Sequence, residues 1–389
     1  MQDEIMEMQS AIDLAFLFIG GEHQVLHLAP VAAEISRRHP DAKVQCICAD
    51  GRTAQALRDV ASRMAAKDMK VVQVALPWAS VIAARLSGIR AAAKGPLLAK
   101  IRWRVRGAQA IIVPERTSAA LRLLGWCRPL IHFRHGAGDR APSSEARLKA
   151  FDAILVPGEK DVERAVEQGI DQDRLRAIGY VKLDYLQTVP RPEERLFDND
   201  RPIILYNPHF DPSISSIAIA RDVIERFREQ DRYNLIFAPH IRTFENLSPA
   251  ERAEWRALAV PERILVDLDS PRLFNMRYVQ AAALYLGDMS SQLYEFLARP
   301  RPAVFLNAHG VDWRKNRRYS GWHLGEVAMG AEDVLTAIDL AFERHPGKIA
   351  KQTKAVDFAF GRYQGAIRRS ADALLQLLPS FSSIRRGQS

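Results

Sequence analysis

Apolar residues along this chain fall into short continuous runs, separated by segments in which they recur every three or four positions. Runs at Leu14 to Ile19, Lys43 to Cys48, Val71 to Ala75, Ala110 to Val113, Leu130 to Phe133 and Ala153 to Val156 predict buried strands. Helical spacing over His27 to Arg38 and Thr53 to Ala66 predicts helices between them. Such alternation means a parallel, doubly wound sheet, because parallel strands need a long crossover and helices then cover both faces. Near Asp184 the pattern gives way to a charged, proline-rich stretch, Pro190-Arg191-Pro192-Glu193-Glu194-Arg195, which reads as a domain boundary. It then resumes with strands at Ile203 to Tyr206, Asn234 to Phe237, Ile264 to Val266, Ala282 to Leu286 and Ala303 to Leu306. Helices are expected over Ile217 to Gln230, after Ser291 and over Ala331 to Arg344. The expectation is an α/β protein of two domains, 1–185 and 200–356, facing a cleft, with a C-terminal helix and tail over 357–389.

The length of 389 residues suits two such domains, and 48% hydrophobic with 26% charged residues excludes a largely disordered chain. Three cysteines form no paired framework. Cys46 and Cys48 alternate within a strand and lack metal-ligand spacing, so a reducing cytoplasm fits best. Asp3, Glu4 and Glu7 precede the first apolar run, Ala11 to Ile19, which is too short to span a bilayer; neither an export signal nor a membrane span is expected.

Charge changes the picture more than composition does. A formal net charge of +9 and a pI near 9.6 favour an anionic partner. From Met69 to Pro114 there is no acidic residue, while Lys70, Arg85, Arg90, Lys94, Lys100, Arg102, Arg104 and Arg106 are interspersed with Trp78, Ile82, Leu86, Ile89, Leu97, Leu98, Ile101 and Trp103. Residues 81–106 read as a basic amphipathic element for an anionic membrane surface, which would make the protein peripheral on the inner face of the cytoplasmic membrane. The plainer reading is a solvated helix face beside a substrate cleft. An aromatic content of 8%, without stacking residues interleaved in the basic region, argues against nucleic acid.

In open parallel sheets ligands bind beyond the carboxyl ends of the strands, and three histidines fall there. His135 lies in Arg134-His135-Gly136-Ala137-Gly138-Asp139, His209 in Asn207-Pro208-His209-Phe210, and His240 in Ala238-Pro239-His240-Ile241-Arg242. No pair of these three has the i, i+3 or i, i+4 spacing of a helical metal site, so no metal is expected. A fourth strand end carries Gly287-Asp288-Met289-Ser290-Ser291-Gln292, after which Leu293, Phe296 and Leu297 repeat at helical spacing. Two serines at a helix start, with free backbone N–H groups, suit a phosphate, and Glu295 one turn on suits sugar hydroxyls; the plainer reading is an ordinary cap.

The order of a His-Gly turn, a Gly-Tyr-x-x-x-Asp element (Gly179, Tyr180, Asp184), a Tyr-x-Pro turn, a Pro-His turn and an Asp-x-Ser-Ser helix start resembles the CDP-glycerol glycerophosphotransferases of the teichoic-acid polymerase type. The resemblance covers roughly residues 130 to 345 and runs on through Arg301-Pro302-Ala303-Val304-Phe305. Gly138-Asp139-Arg140 replaces a lysine common in that family, and His209-Phe210 replaces its usual Thr-Trp. The resemblance implies the GT-B fold, two Rossmann-like domains with the nucleotide donor in the second. It implies transfer of glycerophosphate, or a related phospho-alcohol, from a CDP-linked donor to a hydroxyl of a lipid-linked or glycan acceptor, without a cofactor. His135 would be the base on the acceptor, and His240 with Arg242 would offset phosphate charge. Ser290 and Ser291 would hold the pyrophosphate, Glu295 the ribose, and His209 a phosphate or the transferred group; Asp288 would join the donor site or orient its turn. Asn307, Arg314 and Arg318, after the next strand, would complete the pocket. Ile19-Gly20-Gly21-Glu22-His23, with Ala29-Pro30-Val31, resembles instead the start of UDP-N-acetylglucosamine 2-epimerases of the same fold, which carry Ser-Gly-Gly where this chain has Ser290-Ser291-Gln292. An epimerase is the alternative, and a nucleotide-sugar glycosyltransferase a third reading.

Overall fold

The computed structural model describes residues 12–75, 91–136, 138, 146–189, 195–240, 242–244, 247–288 and 290–386. Residues 190–194 of the proposed boundary stretch 190–195, residues 81–90 of the basic segment and Asp139-Arg140 lie outside them. The chain divides into two units, one made of residues 1–135, 144–190 and 360–389, the other of 136–143 and 191–359.

Among the described residues, the first unit holds a seven-stranded sheet in the order β3-β2-β1-β4-β5-β6-β7. Its strands are β1 (Asp13–Phe18), β2 (Lys43–Cys48), β3 (Lys70–Gln73), β4 (Ala110–Val113), β5 (Leu130–Phe133), β6 (Ala153–Val156) and β7 (Leu175–Ala177), all paired in parallel. Side chains of β1 alternate between two cores: Phe16 and Phe18 pack with the helix Val25–Arg38, Ala15 and Leu17 with Leu97, Ile101 and Phe151 on the other face. Burial on both faces is why these strands read as unbroken apolar runs. The helix Ala366–Arg386 returns the C-terminal segment to this unit. Asp184 accepts hydrogen bonds from the N–H groups of Gly365 (2.8 Å) and Ile367 (2.9 Å), and Tyr180 stacks on Phe360 with ring centres 4.0 Å apart. Gly179 has φ +87°, and a Cβ there would lie 2.7 Å from the Arg362 carbonyl oxygen, so the turn requires glycine. The Gly-Tyr-x-x-x-Asp element therefore anchors the C-terminal helix.

Among the described residues, the second unit holds a six-stranded parallel sheet in the order β10-β9-β8-β11-β12-β13, built from β8 (Ile203–Asn207), β9 (Asn234–Phe237), β10 (Ile264–Val266), β11 (Leu284–Gly287), β12 (Ala303–Leu306) and β13 (Glu326–Ala328). Both sheets share one winding, reversing direction between β1 and β4 and between β8 and β11. At such reversals the connections leave to opposite sides and open a crevice at the strand ends. The helix expected from Ile217 is a 3₁₀ turn, Ser216–Ile219, followed by the α-helix Ala220–Arg228. No helix among the described residues is long and apolar enough to cross a membrane.

Candidate functional site

In the second unit, neighbouring strands β8 and β9 end in the same turn. After Pro208, the N–H of Asp211 donates to His209 Nδ1 (3.0 Å); after Pro239, the N–H of Arg242 donates to His240 Nδ1 (3.1 Å). An imidazole nitrogen that accepts carries no proton, so each neutral ring bears its hydrogen on Nε2 and presents a donor there. The two rings lie 5.9 Å apart, and Phe210 packs against both, 4.4 Å from His209 and 4.7 Å from His240. The Arg242 guanidinium sits 4.2 Å from the Phe210 ring centre, a cation–π contact that holds a positive charge beside the imidazoles.

Across the reversal, Asp288 ties this turn to β11. Its Oδ2 accepts from the N–H of His209 (2.8 Å) and of Ser216 (3.0 Å), while Oδ1 has no hydrogen-bond partner among the described residues. Asp288 is fully buried; desolvation pushes its pKa up to about 6 against the lowering effect of the amide bonds. Gly287 makes the approach possible, since a Cβ would stand 2.9 Å from the Asn207 carbonyl oxygen. Ser290 Oγ accepts from the Gln292 N–H (3.2 Å) and caps the helix Ser291–Leu297, whose seven residues give only a weak dipole. The Ser291 side chain lies outside the described part of the structure. Glu295 is buried. His309, absent from the sequence candidates, meets the Ser215 carbonyl oxygen through Nε2 (3.0 Å) and carries its proton there.

In the first unit His135 has the opposite tautomer. Its Nδ1 lies 2.8 Å from the Pro114 carbonyl oxygen, which only accepts, so Nδ1 is protonated and the neutral ring keeps a lone pair on Nε2. Desolvation lowers its pKa below the usual 6.5, opposed by the bond to Pro114 and the charge of Glu115. His23 and His27 flank it, with ring centres 6.0 and 5.8 Å away. Burial, then the charge of Lys182, holds His27 well below the ordinary value, so His27 stays neutral. Arg134 is fixed by the fully buried Asp161, whose Oδ1 lies 3.1 Å from its Nε.

No family model and no curated protein matches this sequence. Solved structures do match. A putative UDP-N-acetylglucosamine 2-epimerase from Listeria monocytogenes aligns over 95% of this chain and 98% of its own, with TM-score 0.62 and 16% identity. S. aureus MnaA with UDP aligns over 95% and 97%, with TM-score 0.65 and 12% identity. The wall teichoic acid polymerase TagF aligns over 95% and 89%, with TM-score 0.59 and 14% identity. The chain has the GT-B fold. At such identities the likeness extends to the fold alone.

Within this GT-B protein, the second unit brings His209, His240 and Arg242 together and joins them through Asp288 to the Ser290 turn. Asn307 spends its amide group on Val311, donating 3.0 Å to the carbonyl oxygen and accepting 2.9 Å from the N–H, and Arg314 lies over Trp313. The basic segment needs correction. Leu97, Leu98 and Ile101, read from sequence as a membrane-facing stripe, are buried in the first unit's own core. A helical apolar stripe has the same spacing whether a protein core or a lipid surface covers it, so periodicity does not distinguish them. Among the described residues of the segment, Trp103 stays outside, 68% exposed, with Arg106 5.1 Å from its ring centre. Besides His309, the residues missed from sequence are His23, His27, Gln24 and Glu115. The spacing of four between His23 and His27 was a visible signal, but their approach to His135 is tertiary.

Proposed function

We propose that this protein is an enzyme acting on a nucleoside-diphosphate-linked substrate, and more specifically that it transfers glycerophosphate, or a related phospho-alcohol, from a CDP-linked donor to a hydroxyl of a lipid or glycan acceptor. The observation that carries this reading is the opposite tautomers of the histidines: Nε2–H donors at His209 and His240, an Nε2 lone pair at His135. Donors beside Arg242 and Ser290 suit the oxygens of a diphosphate, and the lone pair suits the proton of an attacking hydroxyl. In the transfer, the acceptor oxygen bonds to the glycerol-bearing phosphorus and its proton passes to His135 Nε2. The bond from that phosphorus to the bridging oxygen breaks, and CMP leaves. Such a displacement asks for alignment and neutralised oxygens more than for covalent help. Exposed Trp103 among Arg102, Arg104 and Arg106 supports an acceptor held at an anionic membrane.

Epimerisation of UDP-N-acetylglucosamine is the second reading. It is favoured by whole-chain structural similarity to proteins described as UDP-N-acetylglucosamine 2-epimerases, one of them bound to that sugar nucleotide. Thermal shift with CDP-glycerol, CDP, UDP-N-acetylglucosamine and UDP separates the two. A ligand at about a hundredfold its Kd stabilises by about 2.7 kcal/mol. Preference for CDP-glycerol and release of CMP in the presence of acceptor support transfer; preference for UDP-N-acetylglucosamine with inversion at sugar C2 supports the epimerase and overturns the transferase.

A further inference from the structure

The Gly20-Gly21 turn is not used by the reading above, yet it closes on the surroundings of His135. Gln24, 1% exposed, accepts from the Gly20 N–H through Oε1 (3.2 Å) and donates through Nε2 to Glu115 Oε1 (3.1 Å). Thr117 Oγ1 donates to Glu115 Oε2 (2.9 Å), so both carboxylate oxygens are held. A Cβ on Gly20 would overlap Glu115 Oε1 and Gln24 Nε2, so the turn leaves room for this pair only as glycine. Pro114, immediately before Glu115, supplies the carbonyl that fixes the His135 tautomer. One strand end, that of β4, thus sets both the orientation of the imidazole and the position of an anion near it.

We propose that Glu115 is a positioning residue that acts through His135, held by Gln24, Thr117 and the Gly20 turn so that its charge supports the imidazolium formed when His135 takes the acceptor's proton. The inference rests on the reading of His135 as the acceptor base. Around His135, Arg134 and Arg116 oppose a positive ring, Glu115 supports it, and His23, His27 and His132 stand close as further imidazoles. Among the described residues, Glu115 is the carboxylate that acts on His135 against those cations and against burial. A base whose conjugate acid is stabilised in place gains rate where proton transfer is part of the barrier.

The test is Glu115→Gln, with Glu115→Asp and Gly20→Ala beside it, in the full-length protein. Turnover of CDP-glycerol with acceptor should fall at least about tenfold in Glu115→Gln, and the acid limb of its kcat profile should move to lower pH. Glu115→Asp should keep the limb near the parent's, and Gly20→Ala, which displaces the carboxylate, should shift it as Glu115→Gln does. Proton NMR of the imidazoles, with His135 assigned as the resonance lost in His135→Ala, reads the same effect without turnover: its titration midpoint should drop in Glu115→Gln. An unmoved midpoint overturns the proposal, and should Glu115→Gln fail to fold, an unmoved midpoint in Gly20→Ala overturns it equally. If His135→Ala retains full turnover while the midpoint still moves, the base assignment falls and the Glu115–His135 coupling stands.

Discussion

Asp288 shows how the surroundings of a side chain choose between two readings of it. Its sequence position beside two serines suits either ligand contact or orientation of the turn; the structure gives its oxygen two backbone amides and no solvent. Its pKa in the fold, about 6, exceeds the usual aspartate value, so the folded state favours the protonated form. The stabilisation linked to that shift is fully present below the unfolded pKa and is lost as pH rises through 6. The parent should therefore gain about 1.3 kcal/mol between pH 7 and pH 5, and roughly 3 kcal/mol in all once the pH is below the unfolded pKa, and Asp288→Asn should remove this dependence. Urea midpoints at pH 5 and pH 7 for both proteins check it, and equal slopes would reject the shift. Ser290→Ala with Ser291→Ala should weaken binding of the preferred nucleotide without unfolding the protein, at roughly 1.5 to 3 kcal/mol for each charge-assisted bond lost. An unchanged Kd by calorimetry would remove the turn from the site. The histidines at strand ends were legible because a strand's end is set locally, by where the apolar run stops. Glu115 was not, because a lone glutamate in a loop carries no pattern, and its meaning comes from Gln24 and His135, far away in sequence.

At the scale of elements, long apolar runs were read nearly to the residue, and the three-residue edge strands β7 and β13 were missed. Both lie at the rim of their sheets, where burial is partial: only Leu175 of β7 and Ala328 of β13 are buried. Half-solvated short strands leave too few apolar positions to form a run. The helix Ala91–Arg104 makes the opposite point, since its apolar stripe was visible but its partner was not. Of its cations, Lys100 donates to the Ala75 carbonyl oxygen (3.3 Å) and Arg102 to that of Gly125 (3.2 Å). Reversing Arg102, Arg104 and Arg106 to glutamate should release the protein from anionic vesicles, because each change removes an attraction and adds a repulsion. Cosedimentation that is absent in the parent, or indifferent to salt and to these changes, would leave the segment as a solvated face packed on its own core.

On the scale of the whole molecule, the two units have separate sheets and separate cores, with His135 in one and His209, His240 and Arg242 in the other. Substitutions in them should therefore act on different terms of the reaction. His135→Ala should lower turnover by roughly a hundredfold to ten-thousandfold and leave CDP-glycerol affinity nearly intact, since a base contributes in the transition state. His240→Ala should weaken both, because the proposed contact of its Nε2–H with the donor phosphates is made in the ground state as well. Calorimetric titration paired with measured CMP release distinguishes the two patterns, and full activity in His135→Ala would return that residue to a structural role.

The sequence by itself determined the α/β class, the two windings and the strand ends on which histidine, serine and arginine sit, because these follow from local periodicity and from the rule that parallel sheets bind at their carboxyl ends. Tertiary structure alone decided the rest. For His135 the nitrogen that carries the proton is set by a partner from another turn, the Pro114 carbonyl, whereas for His209 and His240 it is set within their own turns by the amides of Asp211 and Arg242. Whether Asp288 meets a ligand or a backbone, and whether Leu97 meets lipid or protein, depends likewise on what the fold lays against it. Hydrogen bonds and burial are set by distances in space, and a linear pattern records only the side that a residue offers.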